Sequence, residues 1–74
     1  MDLRDTFALN LRRMRNARGL SQEAMASSAG INRSYFSKIE TSDTYVGLEI
    51  IAKLSEALEV EPAEFFRRPA KRSK

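Results

Sequence analysis

"LSQEAMASSAGINRSYFSKIE", Leu20 to Glu40, holds two short segments of helical periodicity separated by a single glycine. Ser21 stands where it can cap the first segment, whose inner face would be Met25, Ala26 and Ala29. Gly30 ends that segment because glycine accepts the positive φ of a helix C-terminus. Asn32 can then cap a second segment at once, with Phe36 and Ile39 turned inward. A glycine, one apolar residue and a capping asparagine make a turn of about three residues, which sends the second helix off at a steep angle. Helices that cross so closely need a small side chain at the contact, and Ala26 is the residue for it.

The pattern continues in both directions. Upstream, Phe7, Leu11 and Met14 fall on one face of a helix predicted over residues 5–17, with Gly19 as its left-handed terminator. Downstream, Gly47 can cap a fourth helix over 48–58, in which Leu48, Ile51, Ser55 and Leu58 share one side. Ile50, Leu54 and Ala57 widen its apolar arc to about 180°, whereas one core needs only about 100°. Either the helix is central and buried along the whole arc, or Ile50 and Leu54 meet a second subunit. Phe65 and Phe66 raise the same alternative, because neighbouring helical side chains point about 100° apart. Pro62 opens a fifth helix and Pro69 stops it. No stretch alternates as a half-buried strand should. The predicted fold is therefore all-α, a compact bundle of five short helices forming one domain over residues 1–68. A basic, disordered tail is expected over 69–74.

Seventy-four residues suit a single small domain whose stability rests on packing, extended by a partner subunit if one is present. With no cysteine and no histidine, disulfides, thiolate or imidazole metal sites and Cys/His catalysis are excluded. No apolar run approaches the roughly 20 residues that span a bilayer, and no signal-peptide pattern opens the sequence. A cytoplasmic protein is expected. The net charge of +3 is unevenly spread: residues 1–42 carry +3, residues 43–66 carry −5 and the last eight carry +5. A basic half beside an acidic segment fits a surface that faces a polyanion in one direction, and fits an ordinary mixed surface as well.

The quoted stretch resembles the helix-turn-helix of the phage repressor and Cro-like DNA-binding family, the lambda-repressor-like fold. Counted from Gln22, that pattern has a small residue fifth, glycine ninth, and apolar residues fourth, eighth, tenth, fifteenth and eighteenth. Ala26, Gly30, Met25, Ala29, Ile31, Phe36 and Ile39 occupy those positions. The flanks "FALNLRRMRNARGLSQ" and "LEIIAKLSEALEVEPAEFF" resemble the family's first and last two helices, so the likeness covers about residues 5–66. Among small members, the single-domain size most resembles the controller proteins of restriction-modification systems, then phage repressors. One departure stands out. After the recognition helix the family commonly reads Glu, any residue, Gly, and a proline soon after, whereas here Glu40 is followed by Thr41 and Ser42, and no proline follows before Val46.

The resemblance implies double-stranded DNA as partner and a homodimer on a palindromic operator. It implies no cofactor, metal, membrane or small-molecule ligand. Phe36 and Ile39 face inward, so helix three exposes Asn32, Arg33, Ser34, Ser37 and Lys38. Arg33 is the expected base reader, since its planar fork can bond O6 and N7 of one guanine. Ser34 and Ser37 can reach a base edge or a phosphate, and Lys38 suits a phosphate or plain solvent. Asn32 can serve DNA or be only a cap. The glutamine matching Gln22 in the family holds the DNA backbone and can brace the recognition helix, at a helix start where free N–H groups already favour a phosphate. Arg12, Arg13 and Arg15 could add phosphate charge or simply be solvated, and Tyr35 could pack beside the core or reach a phosphate. Ile50, Leu54, Phe65 and Phe66 are the expected dimer interface. No nucleophile has a plausible base and no glycine-rich phosphate loop is present, so an enzyme is not expected. The rival reading is an antitoxin that neutralises a toxin through its acidic helices.

Overall fold

Asp2, not Asp5, begins the first helix: its side chain accepts a hydrogen bond from the Arg4 N–H at 3.1 Å, so α1 runs Leu3–Ala17. The computed structural model describes residues 2–68; the basic tail and Pro69, its expected helix stop, lie outside the described residues. α2 (Gln22–Ala29) is capped by Ser21, whose Oγ accepts from the Ala24 N–H at 3.0 Å. α3 (Arg33–Glu40) is capped by Asn32, whose Oδ1 accepts from the Tyr35 N–H at 3.2 Å. α4 (Leu48–Leu58) starts after Gly47, as the sequence suggests. The expected fifth helix is a 3₁₀ segment, Pro62–Phe66, following Pro62 at its first turn and held by an i→i+3 bond from Glu64 N–H to Glu61 O at 2.9 Å. In so short a segment the i→i+3 bonds of the tighter helix satisfy more backbone groups than i→i+4 bonds can.

The four α-helices among the described residues finish in the same way, with paired backbone bonds folded over a left-handed residue. Gly19 (φ 68°) and Gly30 (φ 72°) close α1 and α2. After α2, the Gly30 N–H donates to Ser27 O at 3.1 Å and the Ile31 N–H to Ala26 O at 2.9 Å. Ser42 (φ 64°) and Glu59 (φ 59°) take the same conformation after α3 and α4 without being glycine. The Ser42 N–H donates to Ile39 O at 3.1 Å and the Asp43 N–H to Lys38 O at 2.8 Å. Ser42 thus occupies the place where the family pattern has glycine, and it keeps the backbone that glycine would adopt.

The inward faces meet in one core: Phe7 and Leu11 of α1, Met25, Ala26 and Ala29 of α2, Phe36 and Ile39 of α3, Ile51, Leu54 and Leu58 of α4, and Phe65. Each large side chain removed from water contributes about 1.5–3 kcal/mol. Asn10 fastens the C-terminal segment to α1, its Nδ2 donating to Phe65 O at 2.8 Å and Arg67 O at 2.7 Å. Phe7 then stacks obliquely against both phenylalanines, with centroids 5.0 Å from Phe65 and 5.4 Å from Phe66.

Two expectations for the subunit interface need correction. Leu54 and Phe65 are 0% exposed, so the protomer's own core consumes them and they have no surface left for a partner. Ile50 is half-buried against the core, and only Phe66 keeps appreciable surface. Leu48, expected on the inner side of α4, is 85% exposed. As the first helical residue its Cα–Cβ bond tilts toward the N-terminus of α4, past the end of the core.

Candidate nucleic-acid interface

α3 divides its side chains sharply. Phe36 and Ile39 are sealed in the core, while Arg33, Ser34 and Lys38 are exposed and Ser37 is half-exposed. Arg33, Ser34 and Ser37 line a shallow depression together with Gln22 from the start of α2. The turn through Gly30 is what brings Gln22 beside α3. Asn32 and Lys38 do not line that depression; Asn32 is exposed with its Oδ1 committed to capping, and its Nδ2 has no hydrogen bond among the described residues. A cap and a DNA contact are therefore compatible in Asn32, because they use different atoms.

Gln22 also belongs to a buried polar network. Its Nε2 donates to Glu40 Oε1 at 2.9 Å. Glu40, the last residue of α3, is 3% exposed, and Arg15 of α1 grips it twice: Nε to Oε2 at 2.7 Å and a second guanidinium nitrogen to Oε1 at 3.1 Å. The remaining guanidinium nitrogen donates to Leu20 O at 2.8 Å. One carboxylate thus joins the end of α1, the start of α2 and the end of α3. With both oxygens bonded and every buried side-chain polar atom among the described residues satisfied, the pair does not leave a charge stranded. Gln22 keeps its side-chain oxygen outside this network, and its amide is held at one orientation beside Arg33.

Arg15 is neither a solvated arginine nor a phosphate contact. Its side chain is only 12% exposed. The sequence did hold a signal: Arg15 follows Leu11 by four residues, and Glu40 follows Phe36 by four, so each charge continues an apolar stripe by one turn. Opposite charges at such positions can meet only if the two helices pack end to end, and that depends on the tertiary fold. Arg12 and Arg13 are exposed. Arg18 is engaged elsewhere, donating to Leu58 O at the C-terminus of α4 and pairing with Glu59 at 3.6 Å.

Tyr35 sits half-buried against the core, and its hydroxyl donates to Tyr45 O in the α3–α4 connection at 3.4 Å. Tyr45 in turn carries the Arg4 guanidinium 4.4 Å above its ring centroid. The connection is thereby tied to both α3 and α1. Among the described residues no cluster of acidic groups could hold a metal ion, and no helix is long and apolar enough to cross a membrane.

A family described as "Helix-turn-helix domain" matches residues 6–65. The control protein C.SmaI of Serratia marcescens is 32% identical over 68 residues, which is 92% of this chain and 81% of that protein. A hypothetical transcription factor of Neisseria meningitidis serogroup B is 36% identical over 73 residues, 99% of this chain and 69% of the relative. Among solved structures, the restriction-modification controller protein C.AhdI from Aeromonas hydrophila superposes with a TM-score of 0.83 at 43% identity, covering 85% of this chain and 96% of that one. The chain belongs to this helix-turn-helix family of DNA-binding transcription regulators.

Proposed function

We propose that this helix-turn-helix protein binds a short palindromic operator as a homodimer, with α3 in the major groove, and that it serves as the controller of a restriction-modification locus. The observation that carries the reading is the depression on which Gln22, Arg33, Ser34 and Ser37 converge, on a helix whose other face is fully committed to the core. An α-helix fits the major groove, and side chains arrayed along its outer face reach base edges. Arg33 is the base reader. Ser34 and Ser37 contact base edges or phosphate, and Lys38 contacts phosphate. Gln22 and Asn32 bond the backbone with the atoms that the polar network and the helix cap leave unused. The controller role is supported by C.SmaI and C.AhdI, whose names carry it.

The dimer is supported by arithmetic of contact. One recognition helix reaches only a few base pairs, so useful discrimination from so small a domain calls for two copies about one helical turn, ~34 Å, apart. Selection of bound duplexes from a random pool tests the whole reading. The expected product is an inverted repeat with half-sites about 10 base pairs apart, centre to centre. Enrichment of an isolated half-site would remove the palindrome, and no enrichment at all would remove sequence-specific binding. Lys38→Ala should weaken binding about equally on all sequences and reduce the salt dependence by about one phosphate contact.

A further inference from the structure

Arg12, Arg13 and Arg15 are the arginines of α1 that the sequence offers to phosphate, and the fold commits Arg15 to Glu40. It also separates the other two. Arg12 is one turn from Arg15 and shares the side of α1 that faces α3, where it lines a shallow depression with Thr41 and Ser42 at the C-terminal end of the recognition helix. Arg13 is one turn from Asn10, whose amide bonds Phe65 O and Arg67 O, so it stands on the side of α1 that faces the C-terminal segment. We propose that Arg12, and not Arg13, is a phosphate contact, and that it anchors the end of α3 farthest from Arg33. The proposal rests on the reading above, with α3 in the major groove, and adds a DNA contact from outside the two helices of the motif.

The dimensions of α3 bring its last turn to the DNA backbone. Eight residues make a helix about 12 Å long, close to the ~12 Å width of the major groove, so a helix that inserts its first turn carries its last turn toward a phosphate wall. Thr41 is fastened to that turn, its hydroxyl donating to Lys38 O at 3.1 Å. Lys38 itself is exposed one turn before Thr41. Arg12 and Lys38 thus approach the same end of α3 from two helices, and a phosphate there meets two cations.

The charges around the depression leave Arg12 free to bind an anion. Glu40 lies at its base, 3% exposed, with both oxygens already bonded by Arg15 and Gln22, so its charge is balanced inside the network. Asp5, on the rim, is two turns away along α1, about 10 Å, and makes no ion pair with Arg12. Arg4, Arg15, Arg18 and Arg67 each have a carboxylate partner, whereas Arg12 has neither an ion pair nor a side-chain hydrogen bond among the described residues. A guanidinium in that position keeps its donors for a ligand, and its parallel N–H groups match two oxygens of one phosphate.

Salt titrations of binding by the full chain, on a selected duplex and on a scrambled one, test the assignment. Arg12 and Arg13 are exposed, so variants at either position should melt with the wild type, which separates a lost contact from a lost fold. Arg12→Gln should weaken binding to both duplexes about tenfold or more, and should make the slope of log affinity against log salt shallower by about 0.9 per protomer. Arg12→Lys should keep the wild-type slope, because the charge remains. Arg13→Gln should stay within about twofold of the wild type, as a solvated charge away from the phosphates is largely screened. No change for Arg12→Gln, or equal changes of slope for Arg12→Gln and Arg13→Gln, would overturn the assignment. A loss confined to the selected duplex would make Arg12 a base contact and overturn it as well. A wild type that binds both duplexes alike would overturn the operator reading, and this contact with it, before any variant is compared.

Discussion

The turn between α2 and α3 and the connection between α3 and α4 close their helices with the same pair of backbone bonds, one on Gly30 at φ 72° and the other on Ser42 at φ 64°. Glycine takes that conformation at little steric cost, while serine carries a β-carbon into a region that costs an L-residue about 1–2 kcal/mol. The α2–α3 turn is thus relaxed and the α3–α4 connection strained, although both position the same recognition helix. The strained end is also the one held by extra bonds: Glu40, two residues before Ser42, is clasped by Arg15 and Gln22, and Tyr35 reaches across to Tyr45. A backbone that is unfavourable by itself persists where its surroundings over-determine it.

Removing those surroundings should have the largest effect. Glu40→Ala leaves the Arg15 guanidinium buried without its carboxylate, and the expected loss is about 3–5 kcal/mol in chemical denaturation. A loss below about 1 kcal/mol would mean that the network is incidental to the end of α3. Gly30→Val comes next. A β-carbon at Gly30 meets no heavy atom within 4 Å, so the whole cost is conformational, about 2 kcal/mol for a β-branched residue at positive φ. Affinity for the operator should fall with it, because the turn sets the angle of α3. Unchanged stability and binding in that variant would show that the turn tolerates another backbone. The smallest effect has the opposite sign. Ser42→Gly should stabilise the protein by about 0.5–1 kcal/mol, the strain released less the added freedom of glycine in the unfolded chain. If Gly30→Val and Ser42→Gly shifted the melting temperature in the same direction, the contrast between the two ends would be wrong.

The same contrast explains what the sequence made legible. Ser21, Gly30 and Asn32 act on residues within three or four positions of themselves, so capping and turn chemistry could be read directly. The starts of α2 and α3 and the end of α2 follow from such local signals, and so does the exposed face of α3. Nothing local marks Ser42 as left-handed, since its side chain is not of the type that advertises the conformation. Arg15 and Glu40 are 25 positions apart, and their pairing exists only after α1 and α3 have packed. The fate of the apolar arc on α4 was undecidable for a similar reason. The periodic pattern put Leu48 on the inner side and Leu54 in the widened arc, yet Leu54 is sealed in the core and Leu48 stands clear of it because it occupies the first turn. Gln22 was legible as a candidate contact to the DNA backbone and a brace for the recognition helix, but the identity of its partner, Glu40, came from the fold.

The central claim, that the outer face of α3 reads bases, is tested most directly by Arg33→Ala measured on matched and scrambled duplexes. Arg33 is exposed and makes no hydrogen bond to the protein among the described residues, so its removal should leave the fold and the dimer constant unchanged. Discrimination at one base pair of each half-site should fall by about 1–3 kcal/mol, while affinity for scrambled DNA changes far less. An equal loss on both duplexes would make Arg33 a phosphate contact and contradict the assignment of α3 as the reading helix through this residue.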